Sequence, residues 1–146
     1  MERIQIFDSR QNKMVYVDQI HKKKAEWKKL LTLEQYRITT EKETEIPFSY
    51  TFNDTKEQGL YQCIRCGIDL FNSTVKFDSG SGWPSYYEPV SDLNITLDKD
   101  SSFGMYRTEV RCARCDSHLG HVFDDGPPPT GKRYCINSVA LKFKEV

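Results

Sequence analysis

Five cysteines stand in this chain, and their spacing divides them into four and one. Cys63-Ile-Arg-Cys66 and Cys112-Ala-Arg-Cys115 are two C-x-x-C pairs, and Cys135 is left over. A C-x-x-C turn brings two sulfurs to one point. Two such turns complete a set of four thiolates, which suits a tetrahedral structural zinc. Gly67 follows Cys66, where a tight knuckle favours a residue without Cβ. The gap from Cys66 to Cys112 is longer than in a compact zinc ribbon, so a substructure is expected between the knuckles. A closed four-thiolate site has no open coordination position. Its expected role is to tie two loops together and couple metal binding to folding. Three other readings compete. A thioredoxin-like redox motif should open a helix after a strand, and neither copy has that context. A Cys₂His₂ site from Cys112, Cys115, His118 and His121 would use a short H-x-x-H spacing and orphan Cys63 and Cys66. The thiols could also be incidental buried groups.

Cys135 lies in Arg133-Tyr134-Cys135-Ile136-Asn137-Ser138, followed by Val139-Ala140-Leu141-Lys142-Phe143-Lys144. Read as one strand, its odd positions share a face. That face is apolar at the far end (Val139, Leu141, Phe143) and polar at the near end (Arg133, Cys135, Asn137). Such a strand emerges from a core into a cleft. A guanidinium beside a thiol favours the nucleophilic thiolate, whereas the plain alternative is a small buried hydrophobe. His118 and His121 add groups that titrate near neutral pH. In a regular strand they would point to opposite faces, so both reach one cleft only if Gly120 permits a bend or bulge. Trp83, in Gly80-Ser81-Gly82-Trp83-Pro84-Ser85, is either a core anchor or a wall for an apolar ligand group.

The elements that must position these residues fall into three parts. Residues 1–20 read as two short strands, Arg3–Phe7 and Met14–Val17, joined by a turn over Asp8–Asn12. Residues 21–45 read as helical, with Ile20, Trp27, Leu30 and Leu31 as a partial apolar stripe. Thr32 is placed to cap a second helix, with Gln35 at the capping-box position. Lys22–Lys24, Lys28 and Lys29 are balanced by Glu34, Glu41, Glu43 and Glu45, so this stretch reads as a solvated face, His21 included. From Pro47 onward, short β-like runs alternate with turn residues: Leu60–Gln62, Val75–Phe77, Phe103–Val110 and Tyr134–Phe143. Pro127-Pro128-Pro129 forms either a stiff cleft rim or a plain surface turn.

At 146 residues the chain has the length of one domain, able to bury about 68–70% of its unfolded surface without a disulfide framework. With 21 basic and 21 acidic residues, it lacks the basic excess of a nucleic-acid or anionic-membrane binder. No window approaches a membrane span, and the charged N-terminus is unlike a signal peptide. The default compartment is therefore the cytoplasm, where disulfides are rare.

Together these segments resemble the B-type methionine sulfoxide reductases (peptide methionine-R-sulfoxide reductases). The matching stretches are Gly59-Leu60-Tyr61, Lys76 through Ser85, Glu109-Val110-Arg111-Cys112, His118 through Pro127, and Arg133 through Ser138. The resemblance runs from about Trp27 to the C-terminus, which leaves residues 1–20 as an extension to a single domain over 21–146. It implies a mainly β fold of two twisted antiparallel sheets with N-terminal helices and a Cys₄ zinc site holding one structural zinc. It implies reduction of methionine-R-sulfoxide, with oxidised proteins or peptides as substrates, in a protein-repair role under oxidative stress. Cys135 would be the nucleophile, His118, His121, Arg133 and Asn137 the surrounding polar residues, and Trp83 the wall for the substrate methyl. One departure is Ser81, where many relatives carry a resolving cysteine. A sulfenic acid on Cys135 would then be reduced by an external thiol: thioredoxin, glutaredoxin or glutathione. The expected enzyme is a cytoplasmic monomer with no nucleic-acid or membrane partner. Two other functions compete with this one: a non-enzymatic zinc-bearing β-module that binds a protein, and a zinc-ribbon nucleic-acid binder.

Overall fold

A computed structural model describes residues 2–49, 52, 56–101 and 104–145. The chain opens with a hairpin, β1 (Arg3–Asp8) and β2 (Lys13–Asp18), paired antiparallel from Arg3↔Asp18 to Asp8↔Lys13. Its turn holds because Asp8 Oδ1 accepts from the backbone N–H groups of Arg10 and Gln11, an Asx arrangement. Two helices follow, α1 (Lys24–Leu30) and α2 (Leu33–Glu41). Thr32 Oγ1 accepts from the Gln35 N–H at 3.1 Å, and Gln35 Oε1 accepts from the Thr32 N–H at 3.0 Å. Both sides of the capping box are thus made.

The apolar stripe expected here is narrower than the sequence suggests. Trp27 is buried, but Leu30 is 65% exposed. The helix is short and touches the body along one line. Arg65 completes that contact by lying over the Trp27 ring, 3.9 Å from its centroid.

The remaining strands are β3 (Gly59–Cys63), β4 (Asp69–Asn72), β5 (Lys76–Phe77), β6 (Ser85–Tyr86), β7 (Ile95–Asp100), β8 (Arg107–Cys112), β9 (His118–Phe123), β10 (Arg133–Ile136) and β11 (Leu141–Glu145). They form a six-stranded sheet ordered β5-β6-β10-β9-β8-β7 and a three-stranded sheet ordered β11-β3-β4, with every pairing antiparallel. An aromatic layer joins the two. Tyr61 and Phe71 from the small sheet meet Tyr86 from the large one, with centroids 5.3 and 4.4 Å apart. All three are fully buried. Large rings fill such an intersheet space with few atoms and favour offset or edge contacts.

Two strand expectations change. Of the run Phe103–Val110, Phe103 lies outside the described residues, and the strand begins at Arg107. The run from Arg133 to Lys144 is not one strand. β10 ends at Ile136, a 3₁₀ turn occupies Ser138–Ala140, and β11 begins at Leu141 in the other sheet. The inward phase inverts across that turn. In β10 the even residues Tyr134 and Ile136 are buried, while Arg133 and Cys135 are half-buried at the cleft. In β11 the odd residue Leu141 is buried again. A pleat preserves its faces only while it remains extended, and a helical turn resets them.

Candidate metal centre and active site

The two knuckles are the same turn made twice. Gly67 donates its N–H to the Cys63 carbonyl and Cys63 donates to Ile68. Asp116 donates to Cys112, and Cys112 donates to Ser117. Gly67 has φ +83°, and its counterpart Asp116 has φ +61°, a left-handed conformation that Asp tolerates better than most residues. The turns aim four sulfurs at one point. Cys63 Sγ lies 3.6 Å from Cys115 Sγ, and Cys66 Sγ lies 3.5 Å from Cys112 Sγ. All four sulfurs are within 4.8 Å of one another. A tetrahedral ion with bonds of about 2.3 Å requires sulfurs about 3.8 Å apart, so these four residues could hold a metal ion. The thiolates leave no position for a substrate. His118 and His121 are not part of the cluster, so the alternative Cys₂His₂ grouping does not form. Arg65 ties the knuckles together: its Nη2 donates to the Cys115 carbonyl at 2.9 Å and its Nη1 to the Thr39 carbonyl of α2 at 3.3 Å.

The cleft lies at the other end of the same strands. It encloses about 270 Å³, and Cys135, His121, Trp83, Ser81, Arg107 and Asn137 are among its lining residues. Cys135 sits directly opposite His121 in the β10–β9 pairing. Gly120 makes that approach possible: a Cβ there would stand 2.0 Å from the Cys135 carbonyl oxygen. The expected bulge is at the same place. Val110 pairs with Gly120, but Arg111 pairs with His118, so Leu119 is passed over. One extra residue returns both imidazoles to one side, and their centroids are 5.5 Å apart in an edge-to-face contact.

The histidines differ in surroundings. His118 is buried, and its Nδ1 donates to Glu109 Oε2 at 2.7 Å. Burial works to raise the Glu109 carboxyl, but the His118 hydrogen bond and the His118 and Lys42 charges hold it below its ordinary value. His121 borders the cleft, and its Nε2 donates to Asp100 Oδ2 at 2.8 Å. Burial lowers the His121 pKa, and Asp100 opposes the shift. Arg107 Nη2 reaches the same Asp100 oxygen at 3.4 Å.

Burial also pushes the Cys135 thiol up. The Ser81 hydroxyl, 3.9 Å away, and the Arg133 charge pull it back down. Arg133 is fixed by Asp125 at 2.9 Å and lies over the Phe123 ring. Asn137 is less available than its position suggests. Its Nδ2 donates to the Leu119 carbonyl and its Oδ1 accepts from the Glu45 N–H, so its amide braces the cleft walls. The Trp83 indole N–H donates to the Glu45 carbonyl at 3.0 Å.

A model of the SelR domain matches residues 31–145. The chain belongs to the SelR domain family. Among its relatives, the peptide methionine sulfoxide reductase MsrB of Methanosarcina barkeri (strain Fusaro / DSM 804) is 56% identical over 125 residues, covering 86% of this chain and 88% of its own length. The protein of the same name from Pseudomonas putida (strain W619) is 55% identical over 128 residues, 88% of this chain and 96% of its own. The β1–β2 hairpin precedes the SelR match.

Within this SelR domain, Cys135, His121, Trp83, Arg133 and Asn137 share one cleft, and His118 stands behind His121. Sequence reasoning missed Glu109, Asp100, Arg107 and Glu45. Glu109 and Asp100 carry no signal there, because each falls in the polar phase of its strand, Glu109 with Arg107 and Arg111 and Asp100 with Thr96 and Asp98. Glu45 is misread outright, because a run of glutamates reads as solvated, yet this one is 5% exposed.

Proposed function

We propose that this chain reduces methionine-R-sulfoxide, in peptide linkage, to methionine through a sulfenic acid on Cys135. The observation that carries the reading is Cys135 facing His121 across an antiparallel pair, beside Trp83, in a chain more than half identical to proteins named peptide methionine sulfoxide reductase. The Trp83 ring offers an apolar wall to the S-methyl group. The Cys135 thiolate attacks the sulfoxide sulfur, and His121, directly or through a water, delivers a proton to the sulfoxide oxygen. The adduct then collapses: the bond from methionine sulfur to oxygen breaks as oxygen passes to the cysteine sulfur, and the sulfur–sulfur bond breaks with its electron pair returning to methionine sulfur. Methionine sulfur is reduced by two electrons and Cys135 is oxidised by two, to the sulfenic acid. Asp100 orients the His121 ring, Arg133 and Ser81 favour the thiolate, and His118 with Glu109 supports His121 from behind. Asn137 holds the walls in register.

The four-cysteine cluster holds one zinc per chain as a structural ion, in keeping with its all-thiolate donor set. It supplies no step of the reaction. A cysteine at position 81 could return an internal disulfide, but Ser81 cannot, and the other four thiols are at the metal cluster. Two equivalents of an external thiol, from thioredoxin or a smaller reductant, therefore convert the sulfenic acid to thiol and water and leave as their disulfide. The protein acts as a cytoplasmic monomer that repairs oxidised proteins, with no nucleic-acid or membrane partner. No helix among the described residues is long and apolar enough to cross a membrane. The non-enzymatic β-module reading leaves Cys135, His121 and Trp83 together for no reason.

Mass spectrometry after stoichiometric sulfoxide and no reductant tests the reading. A gain of about 16 Da on Cys135, trapped as the sulfenic acid, is the expected result. A Cys135 disulfide to any of the other four cysteines contradicts the recycling scheme, and an unmodified Cys135 contradicts the chemistry.

A further inference from the structure

Glu45 lies four residues beyond the end of α2, in a segment whose composition reads as solvated surface. In the fold it is 5% exposed, and its polar groups reach two separate segments, the Trp83 loop and residues 137–139. Its backbone N–H donates to Asn137 Oδ1 at 3.1 Å. Its backbone carbonyl accepts from Trp83 Nε1 at 3.0 Å. Its carboxylate Oε1 accepts from the Val139 N–H at 3.0 Å. Trp83 and Asn137 border the cleft, as does Thr44 beside Glu45, and Val139 lies in the turn that follows the Cys135 strand.

We propose that Glu45 is a positioning residue, which sets the distance between the Trp83 wall and the Cys135 strand by anchoring both to one residue. The inference rests on the reductase reading above. The physical argument is geometric. Trp83 stands on a loop held by the linked hydroxyls of Ser79, Ser81 and Ser85 and by the Gly82 carbonyl, which accepts from the Phe48 N–H, and its indole hydrogen bond is made to the Glu45 main chain of the same 45–48 segment. That main chain is held at depth because the carboxylate is pinned to the Val139 amide. Removing the carboxylate frees the 44–46 segment to shift, and the indole shifts with it. Reacting atoms must come within about 3–3.5 Å, and a misplacement of about 1 Å can cost about 100-fold in rate. The side chain acts through Trp83 and touches no reacting atom.

The test compares Glu45→Gln, Glu45→Asp and Glu45→Ala in the full chain, using a peptidyl R-sulfoxide as substrate. Glutamine keeps an acceptor of the same reach and is expected to stay within about threefold of wild type. Aspartate is too short to reach the Val139 amide, and alanine has no acceptor. Both are expected to lower kcat/KM by about 10- to 100-fold, chiefly through a higher KM, because the moved wall binds the methyl group. The second readout is the Trp83 indole N–H resonance and its exchange with solvent. It should be protected in wild type and Glu45→Gln, and shifted and fast-exchanging in Glu45→Asp and Glu45→Ala. If alanine does not fold, aspartate carries the test. Full activity in Glu45→Asp, a loss in Glu45→Gln equal to that in Glu45→Asp, or a loss of activity with the indole resonance unmoved would each overturn the proposal. Inactive wild type would instead defeat the reductase reading, and the indole measurement would still decide the anchoring.

Discussion

At the scale of single residues the account turns on how Cys135 becomes a thiolate in a site that resists charge. Burial and, after it, the Glu45 charge raise the thiol's pKa, and Ser81 and Arg133 act in the opposite direction. Removing either helper should raise the pH midpoint for alkylation of Cys135 and slow the reaction at neutral pH. For Arg133→Met we expect the rate at pH 7 to fall about 10-fold, corresponding to a shift of about one pH unit. Ser81→Ala should fall less, since its hydroxyl is at the long end of a sulfur hydrogen bond. A pH–rate profile with iodoacetamide measures both. The role of Arg133 is legible in sequence because it sits two residues before Cys135, whereas the Ser81 hydroxyl, 54 residues away in the chain, reads there only as the place where many relatives carry a cysteine. The brace made by Asn137 is not, since its partners, Leu119 and Glu45, are remote in the chain.

At the scale of elements, the pairing of β8 with β9 carries the most consequence. It places Glu109 next to His118, and both are buried. Glu109 has a folded pKa below its ordinary 4.5. The pair therefore contributes stability that is fully present above the unfolded value and is lost as pH falls through the folded one. Chemical denaturation should show stability falling at pH below about 4.5, and Glu109→Gln should flatten that fall. Because the buried His118 Nδ1 would lose its hydrogen-bond partner, Glu109→Ala should cost about 2 kcal/mol.

The hairpin offers a contrasting element. Fully buried Asn94 accepts from the Phe7 N–H at 2.8 Å and donates to the Phe7 and Asp69 carbonyls. Asn94→Ala leaves these backbone groups unpaired and should cost about 2 kcal/mol. The cleft is elsewhere, so kcat/KM should change little. Urea denaturation and a steady-state assay check the two halves.

Local signals made these elements readable to different degrees. The Thr32 capping box and the strand–turn–strand of residues 3–18 rest on neighbours in sequence and were readable there. The break in Arg133–Lys144 was not. Ser138–Ala140 is a turn only because two different sheets claim its flanks, and the buried Glu45 carboxylate accepts from its backbone.

At the scale of the whole molecule, one set of strands has a four-cysteine cluster at one end and a thiol cleft at the other. The knuckles join the three-stranded sheet to the six-stranded sheet, since Cys63 ends β3 and Cys112 ends β8. A structural zinc contributes about 10–16 kcal/mol of apparent binding energy in small domains. Stripping it with a strong chelator should therefore do more than lower activity. The near-UV circular dichroism of the Tyr61–Tyr86–Phe71 layer should collapse, and elemental analysis of the native protein should find one zinc per chain. A protein that keeps its near-UV spectrum after complete metal loss would refute the joining role. The doubled C-x-x-C made this cluster the most legible feature of the sequence, because both halves use the same local turn. What no local pattern shows is which residues complete the cleft. His121 and Cys135 meet through strand register, and Trp83 through the hydrogen bond to Glu45.

The central claim is that Cys135 carries oxygen away from the R epimer of methionine sulfoxide. The most direct measurement is a reduction assay on R and S sulfoxides, free and peptidyl, with wild type and Cys135→Ser under an excess of dithiol. The account predicts turnover of the R epimer by wild type, favouring the peptide, and none by Cys135→Ser. R-sulfoxide reduction that survives the substitution, or a wild type that turns over only the S epimer, would contradict it.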